Sequence, residues 1–177
     1  MLGAIAGDVI GSVYEHRPIK TLDFPLFDAH SRFTDDSVLT IAIADAIVQG
    51  MAYAEALKTY GRKYPNAGYG GAFYKWIFAV ESQPYNSWGN GSAMRVSPVG
   101  FAFATVEEVL HEAERTAIVS HNHPEGIKGA QATALAIFMA RKGLDKATIR
   151  TEIKRRFRYD QENWVSSPAL CLRHGYA

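Results

Sequence analysis

The chain has 177 residues, of which 47% are hydrophobic and 21% charged, with a formal net charge of +1. That length suits one domain with a sizeable core, and the near-neutral balance supplies no long-range field for nucleic acid or an anionic membrane. The single cysteine, Cys171, excludes an intrachain disulfide and a cysteine-rich zinc site and fits a reducing cytoplasm.

Leu2 to Glu15 reads as the first helix. The segment Met1 to Val13 is apolar but lacks the basic start of a signal peptide. No later run is long enough to span a membrane, so a cytoplasmic protein is expected. Gly3, Gly7 and Gly11 recur every four residues. Each costs about 1 kcal/mol in a helix against alanine, so close approach of a second helix is expected to offset them. Asp8 stands among small apolar residues. A carboxylate so placed is paired, hydrogen-bonded to a backbone end, or near a metal. Residues 16–33, with Pro18 and Pro25, carry no sustained period and read as a long loop.

Arg32-Phe33-Thr34-Asp35-Asp36-Ser37 leads into an apolar run. Thr34 or Asp35 can cap the following helix, and acidic residues in a first turn are favoured by the helix dipole. A hydroxyl and two carboxylates at one helix mouth also make half a cage for a hard divalent cation. Helices are predicted over Asp36 to Gly50 and Tyr53 to Tyr64, then over Ala72 to Val80, whose aromatics (Phe73, Tyr74, Trp76, Phe78) read as core. Gly89-Asn90-Gly91-Ser92 precedes Ala93-Met94-Arg95. Such a loop can present backbone N–H groups to an anion, or can be a plain turn with an N-cap. Pro98 and Gly100 read as breaks. Further helices are expected over Thr105 to Val119, opened by a capping box, over Glu125 to Lys142 behind Pro124, and over Asp145 to Phe157, with a basic, solvated face. His121 and His123 lack a third ligand at zinc spacing. No strand-like alternation of useful length occurs, and the chain reads as all-α.

Four stretches, in order, resemble the ADP-ribosylglycohydrolase family. They are Gly3 to Glu15, Phe33 to Ser37, Gly89 to Arg95 and Ser120 to Glu125, so the likeness covers roughly residues 1–140. The resemblance implies a single-domain orthogonal helical bundle around a cleft that holds two Mg²⁺ or Mn²⁺ ions. It implies hydrolysis of the bond between ADP-ribose and a modified protein side chain or small molecule. Carried over, it assigns Thr34, Asp35 and Asp36 to the metal site and Glu15 to the scissile ribose, with Glu15 or Asp35 as general base. Gly89, Asn90, Gly91, Ser92 and Met94 match the loop around the diphosphate and ribose, and His121 the ribose contact. No nucleic-acid or membrane partner is implied.

The family also implies a late Asp-x-Asp segment followed by Thr or Ser. Asp145 and Asp160 are the only late aspartates here, and neither has another two residues away. The tail over 158–177 has no clear period, so the bundle is expected to lack its last helices. One cation, or none, then becomes possible here in place of two, and apolar faces are left for a homodimer or a completing chain to cover. A non-catalytic nucleotide binder or a structural relative is the alternative.

Overall fold

Nine helices and no strand run through residues 1–81 and 83–159, which the computed structural model of the chain describes. They are α1 (Leu2–Gly11), α2 (Asp35–Gln49), α3 (Tyr53–Lys63), α4 (Gly71–Phe78), α5 (Gly91–Met94), α6 (Ser97–Ala102), α7 (Val106–Ile118), α8 (Pro124–Arg141) and α9 (Lys146–Phe157). The all-α expectation holds, and most predicted ends fall within a residue or two of the observed ones. Local chemistry explains why. Gly50 takes a left-handed φ of 67° at the end of α2. Thr105 and Glu108 close a reciprocal capping box on α7. Pro124 opens α8, where a missing N–H costs nothing. The atypical tail expected over 158–177 lies, beyond Tyr159, outside the described residues.

Two helices carry the core. α8 buries Ala130, Ala132, Ala134, Leu135, Phe138 and Met139. An apolar helix of that kind belongs inside, and α5, α6, α7 and α9 pack around it. α2 buries Val38, Leu39, Ala42, Ile43 and Ala46 and packs on α1, α3 and α6. The short helices α5 and α6 bridge the two.

That bridge corrects one expectation. Pro98 and Gly100 do not break the chain but sit inside α6, Pro98 in its first turn. A Cβ on Gly100 would lie 2.7 Å from Ile137 Cγ2 and 2.8 Å from the Ala134 carbonyl oxygen. Gly100 is therefore a close-approach residue that lets α6 lie on α8.

The glycines of α1 correct another. A Cβ on Gly3, Gly7 or Gly11 would meet nothing within 4 Å, so no helix packs against that stripe. α1 has no buried residue at all. It also ends at Gly11, four residues before Glu15, because Ser12 Oγ donates to the Val9 carbonyl at 2.9 Å and accepts from Arg32 N at 3.1 Å. A serine that satisfies backbone groups itself competes with continued helix. The aromatic face of α4 is half core. Phe73 and Trp76 are buried and stack at 5.3 Å, whereas Tyr74 and Phe78 pair on the exposed side.

Candidate metal and substrate cleft

The mouth of α2 is built from two sides. Thr34 is its N-cap, in extended conformation, and its Oγ1 accepts from Asp36 N at 3.4 Å. From α1, Asp8 reaches across to the same helix end. Asp8 Oδ2 accepts from Thr34 N at 2.8 Å, Ser37 N at 3.1 Å and Ser37 Oγ at 2.5 Å, while Asp8 Oδ1 accepts from Thr34 Oγ1 at 2.5 Å. A carboxylate at helix N–H groups is in its favoured place. Of the three fates open to Asp8 from sequence, the backbone-end hydrogen bond is observed. Oδ2 is saturated by these contacts, but Oδ1 keeps lone-pair capacity.

Asp8, Glu15 and Asp36 each offer an oxygen, and the three atoms lie within 4.8 Å of one another. They line a cleft of about 360 Å³ with Ala4, Gly7, Gly11, Thr40 and Met94. Gly7 and Gly11 thus face open space over the carboxylates, which is the role the structure gives the glycine stripe. Burial raises the Asp36 pKa, with Asp8 and Glu15 adding like charge. Asp35 stands beside the trio and outside it. Its N–H donates to the Ala67 carbonyl at 2.8 Å, and Oδ1 faces the turn at Gly68. Burial first, then Asp36, Glu15 and Asp8, pushes Asp35 up to about 7.

The second sequence-marked region is held differently. Asn90 precedes α5 without a side-chain cap bond, and Gly89 and Asn90 are exposed. Ser92 faces inward, buried, and donates to the Gly126 carbonyl at 2.8 Å, tying the loop to α8. Gly91 lies against the His121 ring, where a Cβ would come within 2.8 Å of Nε2. His121 is buried, with Nδ1 2.8 Å from Ser120 Oγ. Burial, then the charge of Arg95, brings its pKa down to about 3, so the ring is neutral near pH 7. Met94 joins the two regions, since it lines the carboxylate cleft and its carbonyl accepts from Thr40 Oγ1 at 3.4 Å.

Of the sequence-marked residues, Glu15, Asp36 and Met94 share the cleft, with Thr34 just behind them. Gly91 and His121 touch each other, and Asp35 is displaced toward Gly68. Sequence reasoning left out Ser37, Thr40 and Arg95, and marked Asp8 only as a carboxylate that is paired, hydrogen-bonded to a backbone end or near a metal. Asp8 had a readable signal, an acidic side chain in a small apolar helix. Thr40 had none.

An all-helical frame with a carboxylate cleft beside a Gly-Asn-Gly loop defines the class, and the comparisons agree. Residues 1–172 match the family model for ADP-ribosylglycohydrolase, and the chain belongs to that family. Similar proteins include ADP-ribosylhydrolase ARH3 of Xenopus tropicalis, 27% identical over 174 residues, covering 81% of this chain and 49% of that protein. The Mus musculus ARH3 is 26% identical over 182 residues, covering 83% and 49%, and the Homo sapiens ARH3 is 27% identical over 178 residues, covering 81% and 49%. The chain spans about half the length of the curated relatives it matches. Among the described residues, no helix is long and apolar enough to cross a membrane.

Proposed function

We propose that the cleft is the active site of a divalent-cation-dependent hydrolase that releases ADP-ribose from a modified protein side chain or a small-molecule conjugate. The observation that carries this is the convergence of Asp8, Glu15 and Asp36 in one cleft that Met94, from the end of the Gly89–Met94 stretch, also lines. Relatives named ADP-ribosylhydrolase support the substrate class.

The donor set fits a hard cation, being all oxygen and largely anionic. Asp8, Glu15 and Asp36 would hold it, with Thr34 Oγ1 as a further neutral oxygen. Three carboxylates and a hydroxyl suffice for one six-coordinate Mg²⁺ or Mn²⁺ completed by water, and fall short for two. Bound there, such an ion supplies Lewis-acid polarisation and offsets the like charges of the cleft. Glu15, exposed at the cleft wall, is placed to take a proton from water. Asp35, whose carboxylate faces Gly68 and stands outside the trio, is the weaker candidate for that task on geometry. The anionic wall also suits an oxocarbenium-like ribose in the transition state. His121 and the loop before α5 would bind the ribose and diphosphate.

Release of ADP-ribose from a modified protein, measured with Mg²⁺ and with EDTA, tests this reading. Activity that ignores EDTA would defeat the cation, and no release under either condition would defeat the hydrolase. The second reading, a non-catalytic ADP-ribose binder, draws on the partial cation set. Calorimetric binding without any turnover in Mg²⁺ or Mn²⁺ would select it. The unburied α1 favours a second copy or a completing chain over this face, which the mass in solution by light scattering tests.

A further inference from the structure

Arg95 is 0% exposed, yet no carboxylate pairs with it among the described residues. Its guanidinium lies over the Phe73 ring at 5.6 Å. Nη2 donates to the Thr116 carbonyl at 2.8 Å and to Ser120 Oγ at 2.9 Å, while Nε and Nη1 have no hydrogen-bond partner among the described residues. Burying a cation so incompletely is costly, and burial brings its pKa down to about 10. Tying α5 to α7 through two acceptors could be done more cheaply by a neutral side chain. The position calls for a reason that uses the charge.

Proton accounting supplies one. A guanidinium only donates, so Ser120 Oγ accepts from Arg95 and keeps its single proton to give. The Tyr85 hydroxyl also interacts with Ser120; burial pushes its pKa up to about 12, so it stays a neutral hydroxyl with a proton of its own to give. The other neighbour of Ser120 Oγ is His121 Nδ1 at 2.8 Å. Beside a cation, a lone pair on Nδ1 is favoured over an N–H pointing at the charge. The Ser120 proton therefore goes to Nδ1, and the ring's own proton goes to Nε2. Nε2 has no hydrogen-bond partner among the described residues and faces Gly91, where only the missing Cβ leaves room.

We infer that Arg95 and Ser120 form a donor relay that fixes His121 as its neutral Nε2–H tautomer, so that the imidazole presents one aimed N–H beside the Gly89–Met94 loop. Arg95 and Ser120 are positioning residues, acting through His121. The ligand that suits this N–H is an oxygen acceptor, a sugar hydroxyl or a phosphate oxygen. Only the identification of that oxygen with ADP-ribose rests on the function proposed above.

The test is long-range ¹H–¹⁵N correlation on the full chain labelled at histidine. At pH 7 the His121 signals should show Nδ1 unprotonated and Nε2 protonated. Ser120→Ala, which leaves Arg95 its bond to Thr116, should abolish the single tautomer. It should also weaken ADP-ribose binding about 5- to 10-fold in calorimetry with EDTA, the worth of one hydrogen bond near 1 kcal/mol. Arg95→Met should shift the same signals. Should that variant fail to fold, Ser120→Ala decides alone. An Nδ1–H tautomer in the wild type, or an unchanged tautomer in Ser120→Ala, overturns the relay. Wild-type protein that ignores millimolar ADP-ribose defeats the ADP-ribosyl reading, while the tautomer signals still decide the relay.

Discussion

The carboxylate cluster at α1–α2 and the Arg95–Ser120–His121 chain at α5–α8 solve opposite electrostatic problems. In the first, Asp8, Glu15, Asp35 and Asp36 crowd one sign of charge at a partly open helix mouth. In the second, a single cation is fully buried and its histidine neighbour is held neutral. Under the proposed function the first is balanced by a bound cation, whereas the second has no counter-charge among the described residues. Ligand and pH should therefore move the two regions in different ways, and that difference can be broken experimentally.

The largest effect belongs to the open side. Asp36→Asn keeps the volume of the side chain and removes one anionic oxygen of the trio. Its Mg²⁺-dependent release of ADP-ribose should fall by more than the about 10- to 100-fold typical of residues one shell outside a metal. The loss should appear in cation affinity measured by calorimetry as well. Asp35→Asn, outside the trio, should lose less. Equal losses would mean that Asp35 turns into the cleft when the cation binds.

On the buried side the leading test is steric. Gly91→Ala puts a Cβ 2.8 Å from His121 Nε2 and 2.9 Å from Cε1, in a loop that Ser92 fastens to α8. Overpacking of this kind costs about 1–3 kcal/mol, read as a lower denaturation midpoint. Truncating the ring in a Gly91→Ala, His121→Ala double variant should recover part of it, a coupling that a thermodynamic cycle isolates. Strictly additive losses would show that Gly91 is required for its backbone and not for the ring.

A smaller and more diagnostic effect lies in the pH dependence of stability. Asp35, at about 7, binds its proton more tightly in the folded chain than its ordinary 3.8. Between those values the native state holds more protons, so its contribution to stability falls as pH rises. His121 runs the other way. Its folded value of about 3 lies below its ordinary 6.5, so the unfolded state holds more protons in that window and stability rises with pH. In EDTA the two slopes should partly cancel between pH 4 and 6.5. Asp35→Asn should expose the rising limb and His121→Asn the falling one. After discount for solvent, each should be worth about 1 kcal/mol, or a shift of about 2–4 °C in midpoint. Saturating Mg²⁺ should flatten the Asp35 limb and leave the His121 limb unchanged. Parallel slopes in both variants would erase the contrast between the regions.

The buried region was also the harder one to read from sequence. Helix periodicity, the Thr105–Glu108 box and Gly50 are local signals, and they set element ends correctly. Thr34-Asp35-Asp36 was equally legible as a polar helix mouth: its capping reading is observed, since Thr34 caps the helix, while its cation reading belongs to the function proposed above. Which of the two aspartates enters the cleft was not legible, because adjacent residues on a helix diverge by about 100° and only the position of α1 selects between them. Arg95 gave no sign of burial, for its environment comes from Phe73 of α4, more than twenty residues upstream, and from α7 and the turn after it, more than twenty residues downstream. Gly100 looked like a breaker because the α8 carbonyl it accommodates is also distant in sequence.

The glycine stripe of α1 separates local from tertiary reasoning most cleanly, and it carries the smallest effect. A glycine inside a helix costs about 0.5–1 kcal/mol against alanine unless packing requires it. At Gly3 the surroundings are open, so Gly3→Ala should raise the denaturation midpoint by an amount in that range and leave cation affinity unchanged. At Gly7 and Gly11, which line the cleft, the same change adds a methyl group over the carboxylates. Those variants should gain similar helix stability while weakening ADP-ribose binding, because the added methyl occupies space that the ligand needs. Destabilisation by Gly3→Ala would instead mean that α1 meets a partner surface in solution, and would restore close helix approach as the reason for the repeat. A gain at Gly3 paired with weaker ligand binding at Gly11 would establish that one repeat of small residues serves two ends, with only the cleft end under a chemical constraint.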